Sequence, residues 1–132
     1  MEDLARNLPV DFSGRHILVT GGCGYVGNAI VRALLRHGAA LVVLFDLSTP
    51  PLDLAPDAAL ATLFKERTKT IIGDVADPKY FTAEALGGFG LDTVIHVASF
   101  GMSGIDMLTR AKIHRVNYEG TLNIINTCTC FS

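Results

Sequence analysis

Apolar residues along this chain follow two patterns, short continuous runs and longer stretches with helical spacing. The short runs are rich in β-branched residues and predict four strands, at residues 16–20, 41–45, 68–72 and 92–99. Helical spacing predicts helices at residues 25–37, 57–65 and 80–86, and a longer helix after residue 104. In this longer helix we expect the following residues to be buried: Leu108, Ala111, Val116, Leu122 and Ile125.

The order of these elements predicts the fold class. Strands that alternate with helices form a parallel sheet with helices on both faces. Because crossovers between parallel strands are right-handed, the four strands should lie side by side in the order 3-2-1-4. The sequence therefore predicts an α/β fold with a doubly wound parallel sheet, present as its first half plus one strand. At 132 residues the chain is long enough for one domain, spanning residues 1–132.

The junction between the first strand and the first helix is rich in glycine. Its spacing, Gly22-x-Gly24-x-x-Gly27, matches the dinucleotide-binding fingerprint, and Gly21-x-x-Gly24-x-x-Gly27 matches a shifted variant. One glycine allows the tight turn, another lets a pyrophosphate contact the backbone, and Gly27 lets the helix pack on the strand. The alternative is that the glycines serve only the turn, but the flanking strand and helix favour a dinucleotide.

Two aspartates follow strands. Asp46 ends the second strand, 19 residues beyond Gly27, where a carboxylate would accept hydrogen bonds from ribose hydroxyls and repel a 2′-phosphate. This favours NAD over NADP, although an aspartate can also simply begin a loop. Asp74 follows the third strand, and the residues alone leave open whether it caps a turn or contacts adenine.

Charge and hydropathy exclude several classes of protein. The chain has 11 basic and 13 acidic residues, which argues against nucleic acid as a partner. The one basic cluster, Arg110, Lys112 and Arg115, is interpreted as a solvated helix face. The longest apolar run, residues 39–45, is too short to span a bilayer, and the first 14 residues do not resemble a secretory signal. We therefore expect a cytoplasmic protein.

The cysteines predict neither disulfides nor a metal site. There are three, an odd number, with no disulfide-framework spacing. Cys128 and Cys130 are close in sequence, but two thiols supply too few ligands for a closed zinc site. We expect no bound metal.

Four motifs occur in the order seen in the extended short-chain dehydrogenase/reductase family: residues 20–27, 73–75, 96–99 and 116–123. The segment 98–104 resembles the 3-beta-hydroxysteroid dehydrogenase branch, specifically the family 42E type. The resemblance covers nearly all of residues 14–127 and implies a Rossmann-type NAD-binding domain.

The resemblance also implies roles for individual residues. The glycines line the pyrophosphate, Asp46 holds a ribose, Asp74 and Val75 contact adenine, and Ala98 lies beside the nicotinamide ribose. The full set of implied cofactor-binding residues is Gly21, Gly24, Tyr25, Val26, Gly27, Asp46, Asp74, Val75 and Ala98. Asn117 matches an asparagine that supports the active-site backbone or a water, or it only packs at a helix kink. His96 is interpreted as a core histidine with satisfied hydrogen bonds.

The catalytic pair of this family is absent from the sequence. Hydride transfer in the family uses a Tyr-x-x-x-Lys pair, in which the tyrosine acts as the general acid or base. The residues four positions after Tyr25, Tyr80 and Tyr118 are Ala29, Glu84 and Leu122. Because family members are also much longer, we expect the chain to be the N-terminal part of an NAD-dependent oxidoreductase and to be inactive alone.

The parent enzyme is expected to act on a steroid-like secondary alcohol, and its membrane association is left open. Two alternatives remain, a non-catalytic dinucleotide-binding regulatory module and a fragment similar to nucleotide-sugar epimerases. Without a fifth strand, residues 94–97 should form a sheet edge with unpaired backbone groups and exposed apolar side chains. We expect this edge to promote self-association.

Overall fold

A four-stranded parallel sheet forms the centre of the protein. The computed structural model describes residues 10–50, 57–101 and 110–130. The strands are β1 (His16–Thr20), β2 (Leu41–Asp46), β3 (Thr68–Ile72) and β4 (Thr93–His96). They pair in the order β3-β2-β1-β4, and every pairing is parallel. The predicted fold class and strand order are confirmed.

The helices connect the strands as expected for crossovers. They are α1 (Tyr25–Arg36), α2 (Ala58–Arg67), α3 (Ala83–Leu86), α4 (Arg110–Ile113) and α5 (Gly120–Cys130). A π-helical segment, His114–Glu119, joins α4 to α5, and we call these three segments together the last helix. Short 3₁₀ turns flank α3 at Pro78–Tyr80 and Gly87–Phe89.

Two expected elements are shorter than predicted. The helix expected over residues 80–86 is divided, because the Thr82 hydroxyl accepts a hydrogen bond from the Ala85 N–H and caps a new helix there. The strand expected over residues 92–99 ends at His96. Its neighbour β1 ends at Thr20, whose carbonyl oxygen accepts from the Val97 N–H. Beyond that hydrogen bond, the part of the chain that the structure describes provides no strand for residues 97–99 to pair with.

The central strands are buried on both faces. Ile17, Leu18 and Val19 have no exposed surface, and β2 is equally enclosed from Val42 to Phe45. Alternate residues point to opposite sides, so Ile17 packs with α1 and α2, whereas Leu18 packs with α3 and α5. Burial on both faces explains why these strands occur in the sequence as continuous apolar runs.

The last helix buries a different face from the one predicted. Ala111, Leu122 and Ile125 are exposed, Val116 is half-buried, and Leu108 lies outside the described residues. The buried positions are Gly120, Ile124 and Thr127. The helix approaches the sheet so closely at Gly120 that a Cβ atom there would lie 2.8 Å from Val75 Cγ1. A small residue therefore sets which face meets the core, and hydrophobicity alone does not reveal it.

The predicted sheet edge is confirmed for the described residues, among which β4 is the last strand in the order. Its side chains are less exposed than expected, because Val94, Ile95, His96 and Val97 are all half-buried. The described part of the chain contains no helix long and apolar enough to cross a membrane.

Candidate functional site

A groove of about 600 Å³ opens where the strands end. Its walls come from the turn after β1, the ends of β2 and β3, the loop after β4 and the last helix. In doubly wound sheets this is the position where ligands bind. All nine residues predicted to contact a cofactor line this one groove: Gly21, Gly24, Tyr25, Val26, Gly27, Asp46, Asp74, Val75 and Ala98.

The glycine-rich turn is shaped by two positions that accept no side chain. Gly21 has a φ of +70°, and its N–H donates to the Phe45 carbonyl oxygen at 2.7 Å. A Cβ on Gly27 would lie 1.9 Å from the Gly21 carbonyl oxygen, so only glycine lets α1 start against the turn. α1 has no side-chain cap at Gly24, and its first-turn residues line the groove. Helix N-terminal N–H groups with no intrahelical partner attract anions.

Asp46 is held at the end of β2 by two backbone hydrogen bonds. One carboxylate oxygen accepts from the Cys23 N–H at 3.0 Å and the other from the Leu47 N–H at 2.7 Å. An ionised carboxylate has about four acceptor positions, so capacity remains for hydroxyl donors. Burial, and then the negative charge of Asp46, raise the pKa of the Cys23 thiol to about 11. The thiol beside the turn is therefore neutral and unreactive.

Asp74 forms an ion pair that the sequence did not predict. Its Oδ1 accepts from the Ala76 N–H at 2.9 Å, and its Oδ2 lies 2.6 Å from Arg115 Nη2 on the last helix. Burial opposes ionisation, but the Ala76 and Arg115 hydrogen bonds outweigh it, so the pKa of Asp74 lies below its ordinary value. The Lys112 ammonium lies 4.0 Å from the centre of the Phe100 ring.

The interpretation of the basic cluster as a solvated face is therefore incomplete. All three residues are exposed, as predicted, but Lys112 also lines the groove and Arg115 also ties the last helix to the end of β3. Arg115 and Asp74 are 41 residues apart in the chain, and no local signal connects them.

Asn117 holds the loop that follows β4. Its side-chain oxygen accepts from the Phe100 N–H at 2.8 Å, and its side-chain nitrogen donates to the Phe100 carbonyl oxygen at 2.9 Å. It lies inside the π-helical segment His114–Glu119. The two interpretations of Asn117 are thus compatible, because the residue at the helix irregularity also supports the backbone at the rim of the groove.

His96 has a partner for each ring nitrogen. Nδ1 lies 2.6 Å from the Thr20 hydroxyl oxygen and Nε2 lies 3.0 Å from that of Thr121. This agrees with a satisfied core histidine. Across residues 10–50, 57–101 and 110–130, no group of three or more His, Cys, Asp or Glu side chains could hold a metal ion.

The sheet order, the glycine turn into α1 and the aspartate that ends β2 together define a class, the doubly wound α/β proteins with a dinucleotide-type fingerprint. Within that class the sequence matches one family model over residues 18–132. The chain belongs to the 3-beta hydroxysteroid dehydrogenase/isomerase family.

Curated relatives support this assignment. Short-chain dehydrogenase/reductase family 42E member 1 from Danio rerio is 35% identical over 125 residues, covering 95% of this chain and 29% of that protein. The Homo sapiens protein of the same name is 37% identical over 112 residues, covering 85% and 25%. A UDP-glucose 4-epimerase from Streptomyces lividans is 32% identical over 113 residues. The chain spans between 25% and 31% of the length of these relatives.

Solved structures support the fold. An epimerase from Methanothermobacter thermautotrophicus superimposes with a TM-score of 0.73 at 24% identity, covering 92% of this chain and 33% of that one. The Bordetella bronchiseptica enzyme WbmF in complex with NAD⁺ gives a TM-score of 0.71 at 21% identity, covering 92% and 34%. At these identities the similarity concerns the fold alone.

Proposed function

We propose that residues 1–132 form the NAD-binding portion of an oxidoreductase that transfers a hydride between a secondary alcohol and NAD. The observation that carries this proposal is that nine residues singled out by sequence line a single groove. Family membership supports the reaction class, and a steroid-like alcohol is the substrate proposed for the longer parent enzyme. We also propose a cytoplasmic location.

The residues of the groove fit NAD. The first turn of α1 presents backbone N–H groups for the pyrophosphate, and Gly21 and Gly24 keep that surface free of side chains. Asp46 retains acceptor positions for the adenosine ribose, and Asp74 and Val75 border the position proposed for adenine. Ala98 lies at the other end, beside the proposed nicotinamide ribose. Bound NAD would supply the nicotinamide carbon that accepts or returns a hydride.

Asp46 is the residue proposed to select NAD over NADP. Its negative charge would repel a 2′-phosphate, and no basic residue occurs among Leu47, Ser48, Thr49 and Pro50 to offset that repulsion. The end of β2 therefore offers a 2′-hydroxyl an acceptor, and the residues directly after it offer a 2′-phosphate no cation.

Calorimetric titration tests the proposal. We expect saturable NAD binding by the full chain, and a loss of about 10- to 100-fold in Asp46→Asn, because hydrogen bonds to a charged acceptor each contribute about 1.5–3 kcal/mol. Glu84→Gln removes the same charge from an exposed position on α3 and should leave the affinity unchanged. Equal losses in both variants, or no saturable binding in the wild type, would contradict the assignment.

We propose that the chain binds NAD without turnover, since no tyrosine in the sequence has a lysine four positions later. A positioned general acid or base contributes about 10²–10⁴-fold to rate. The same absence favours a second candidate function, a regulatory dinucleotide-binding module. Reduction of NAD by a 3-beta-hydroxysteroid at the rate of a full-length relative would contradict both.

We further propose that β4 pairs with a second copy of the chain. It is the edge strand next to β1, and its outer backbone groups have no strand beside them among the described residues. Although β4 has only four residues, it carries no Asp, Glu, Lys or Arg, and an edge strand without such charges is a template for another strand.

A further inference from the structure

His96 lies at the junction of three elements. It is the last residue of β4, its Nδ1 contacts Thr20 at the end of β1, and its Nε2 contacts Thr121 at the start of α5. None of these three residues lines the groove. These three residues therefore do not contact a cofactor in the groove directly. Any effect of His96 on the groove passes through the elements that its hydrogen bonds join.

The hydrogen bonds determine where the protons are. The Thr121 hydroxyl donates its one proton to the Asn117 carbonyl oxygen at 2.6 Å, so at His96 it accepts, and Nε2 must carry a hydrogen. The Thr20 hydroxyl oxygen accepts from the Ala98 N–H at 3.3 Å and from the Val97 N–H at 3.2 Å, a donor that it shares with the Thr20 carbonyl oxygen at 3.1 Å. Both acceptor positions of the hydroxyl oxygen are thereby occupied. Its own proton then points at Nδ1, which accepts it.

These bonds are compatible with one state of the imidazole only, the neutral form with hydrogen on Nε2. A second ring proton, on Nδ1, would point at the proton of the Thr20 hydroxyl. The Thr20 hydroxyl oxygen could not accept it, because its acceptor positions are already occupied. Burial of the ring, which lowers the pKa of His96 below its ordinary value, acts in the same direction.

The chain of bonds reaches both sides of the groove rim. At one end, Thr20 holds the backbone of Val97 and Ala98, and Ala98 in turn packs against the glycine turn, where a Cβ on Gly21 would lie 2.9 Å from the Ala98 nitrogen. At the other end, Thr121 bonds to Asn117, whose side chain holds both backbone polar groups of Phe100. Ala98 and Phe100 both line the groove.

We propose that His96 is a positioning residue for the dinucleotide groove, acting as a neutral imidazole with hydrogen on Nε2 that fixes the glycine turn and the Phe100 loop relative to each other. The inference rests on the proposed function, because it assigns His96 to the same groove. Nε2 must donate to Thr121 and Nδ1 must accept from Thr20, so the other tautomer would break both hydrogen bonds.

Nitrogen-15 NMR of the full chain tests this directly. We expect His96, identified among the four histidines with a His96→Gln variant, to be a single Nε2–H tautomer at neutral pH. Thr121→Val keeps the shape of the side chain but removes the acceptor, and should mix the tautomers and shift the amide signals of Gly21 and Ala98. It should also weaken NAD binding about tenfold, as expected for one partly buried donor left unsatisfied. Thr121→Ser restores the hydroxyl and should keep the wild-type values.

A mixture of both tautomers in the wild type would overturn the proposal. So would a Thr121→Val protein that weakens NAD binding with the His96 tautomer unchanged, because the effect would then bypass the imidazole. If the wild type does not bind NAD, the proposed function fails separately. The tautomer of His96 and the Gly21 and Ala98 amide signals still decide whether His96 positions the rim.

Discussion

Among the described glycines, Gly27 is the position where an added Cβ atom would come nearest to another atom. A Cβ atom there would lie 1.9 Å from the carbonyl oxygen of Gly21, a backbone atom that cannot rotate away. The glycine spacing in the sequence identified this position because the close approach arises within one strand-turn-helix unit. The effect of adding a side chain at Gly27 can be measured as a change in the free energy of unfolding.

We expect Gly27→Ala to lower the free energy of unfolding by about 3 kcal/mol, since the methyl group must displace the turn or α1. Urea unfolding of the full chain gives the value. Gly87→Ala is the matched control, because Gly87 has open space around its Cβ position and an ordinary helical backbone with φ −60° and ψ −30°. Equal losses in the two variants would contradict the packing described at Gly27.

At the scale of elements, the contacts of the last helix were the hardest to predict. Its apolar residues suggested that Leu122 and Ile125 face the core, whereas Gly120, Ile124 and Thr127 do. Two tertiary features cause the difference: the close approach of Gly120 to Val75, and the π-helical segment, which adds a residue to the local turn. Neither produces a periodic signal in the sequence.

The ion pair between β3 and the last helix gives a pH dependence. The pKa of Asp74 is lowered in the folded protein, so its contribution to stability is present above the unfolded value of about 3.9 and is lost as pH falls through the lower folded value. Arg115→Gln removes the partner. Its stability should therefore fall less steeply than that of the wild type as the pH falls below about 4.

Because the Arg115–Asp74 pair is half-exposed, we expect its loss to cost only about 0.2–1 kcal/mol near neutral pH. Urea unfolding at a series of pH values measures both quantities. Lys65→Gln on α2 removes one positive charge away from Asp74 and serves as the control. Parallel stability curves for the wild type and Arg115→Gln would show that Asp74 is not held ionised by Arg115.

At the scale of the whole molecule, the sheet order followed from the sequence pattern, and the set of residues that line the groove followed from the glycine motif and the family resemblance. Right-handed crossovers leave one arrangement for four such strands, and the carboxyl ends of parallel strands meet at one edge. The family resemblance implies that Gly21 and Ala98, distant in sequence, lie at one cofactor, and in the structure the two residues are in contact. The partners of Lys112 and Arg115 could not be predicted in this way, because they depend on how the last helix is rotated against the sheet.

The edge strand β4 leads to a prediction about assembly. We expect sedimentation of the purified chain to depend on concentration, with dimers or larger species increasing as concentration rises, because an unpaired strand edge gains backbone hydrogen bonds by pairing. The half-buried side chains of Val94 and Ile95 moderate this tendency but do not remove the edge. A monomer that remains stable over time at all concentrations would contradict the proposed pairing.

The central claim is that the groove at the carboxyl edge of the sheet binds NAD. Titration of NAD into the isotope-labelled chain, followed by amide proton–nitrogen correlation spectra, reports both the affinity and the location of binding. We predict saturable shifts at Gly21, Gly24, Asp46, Asp74 and Ala98, with α2 unaffected. The absence of saturable shifts, or saturable shifts confined to residues outside the groove, would contradict the account.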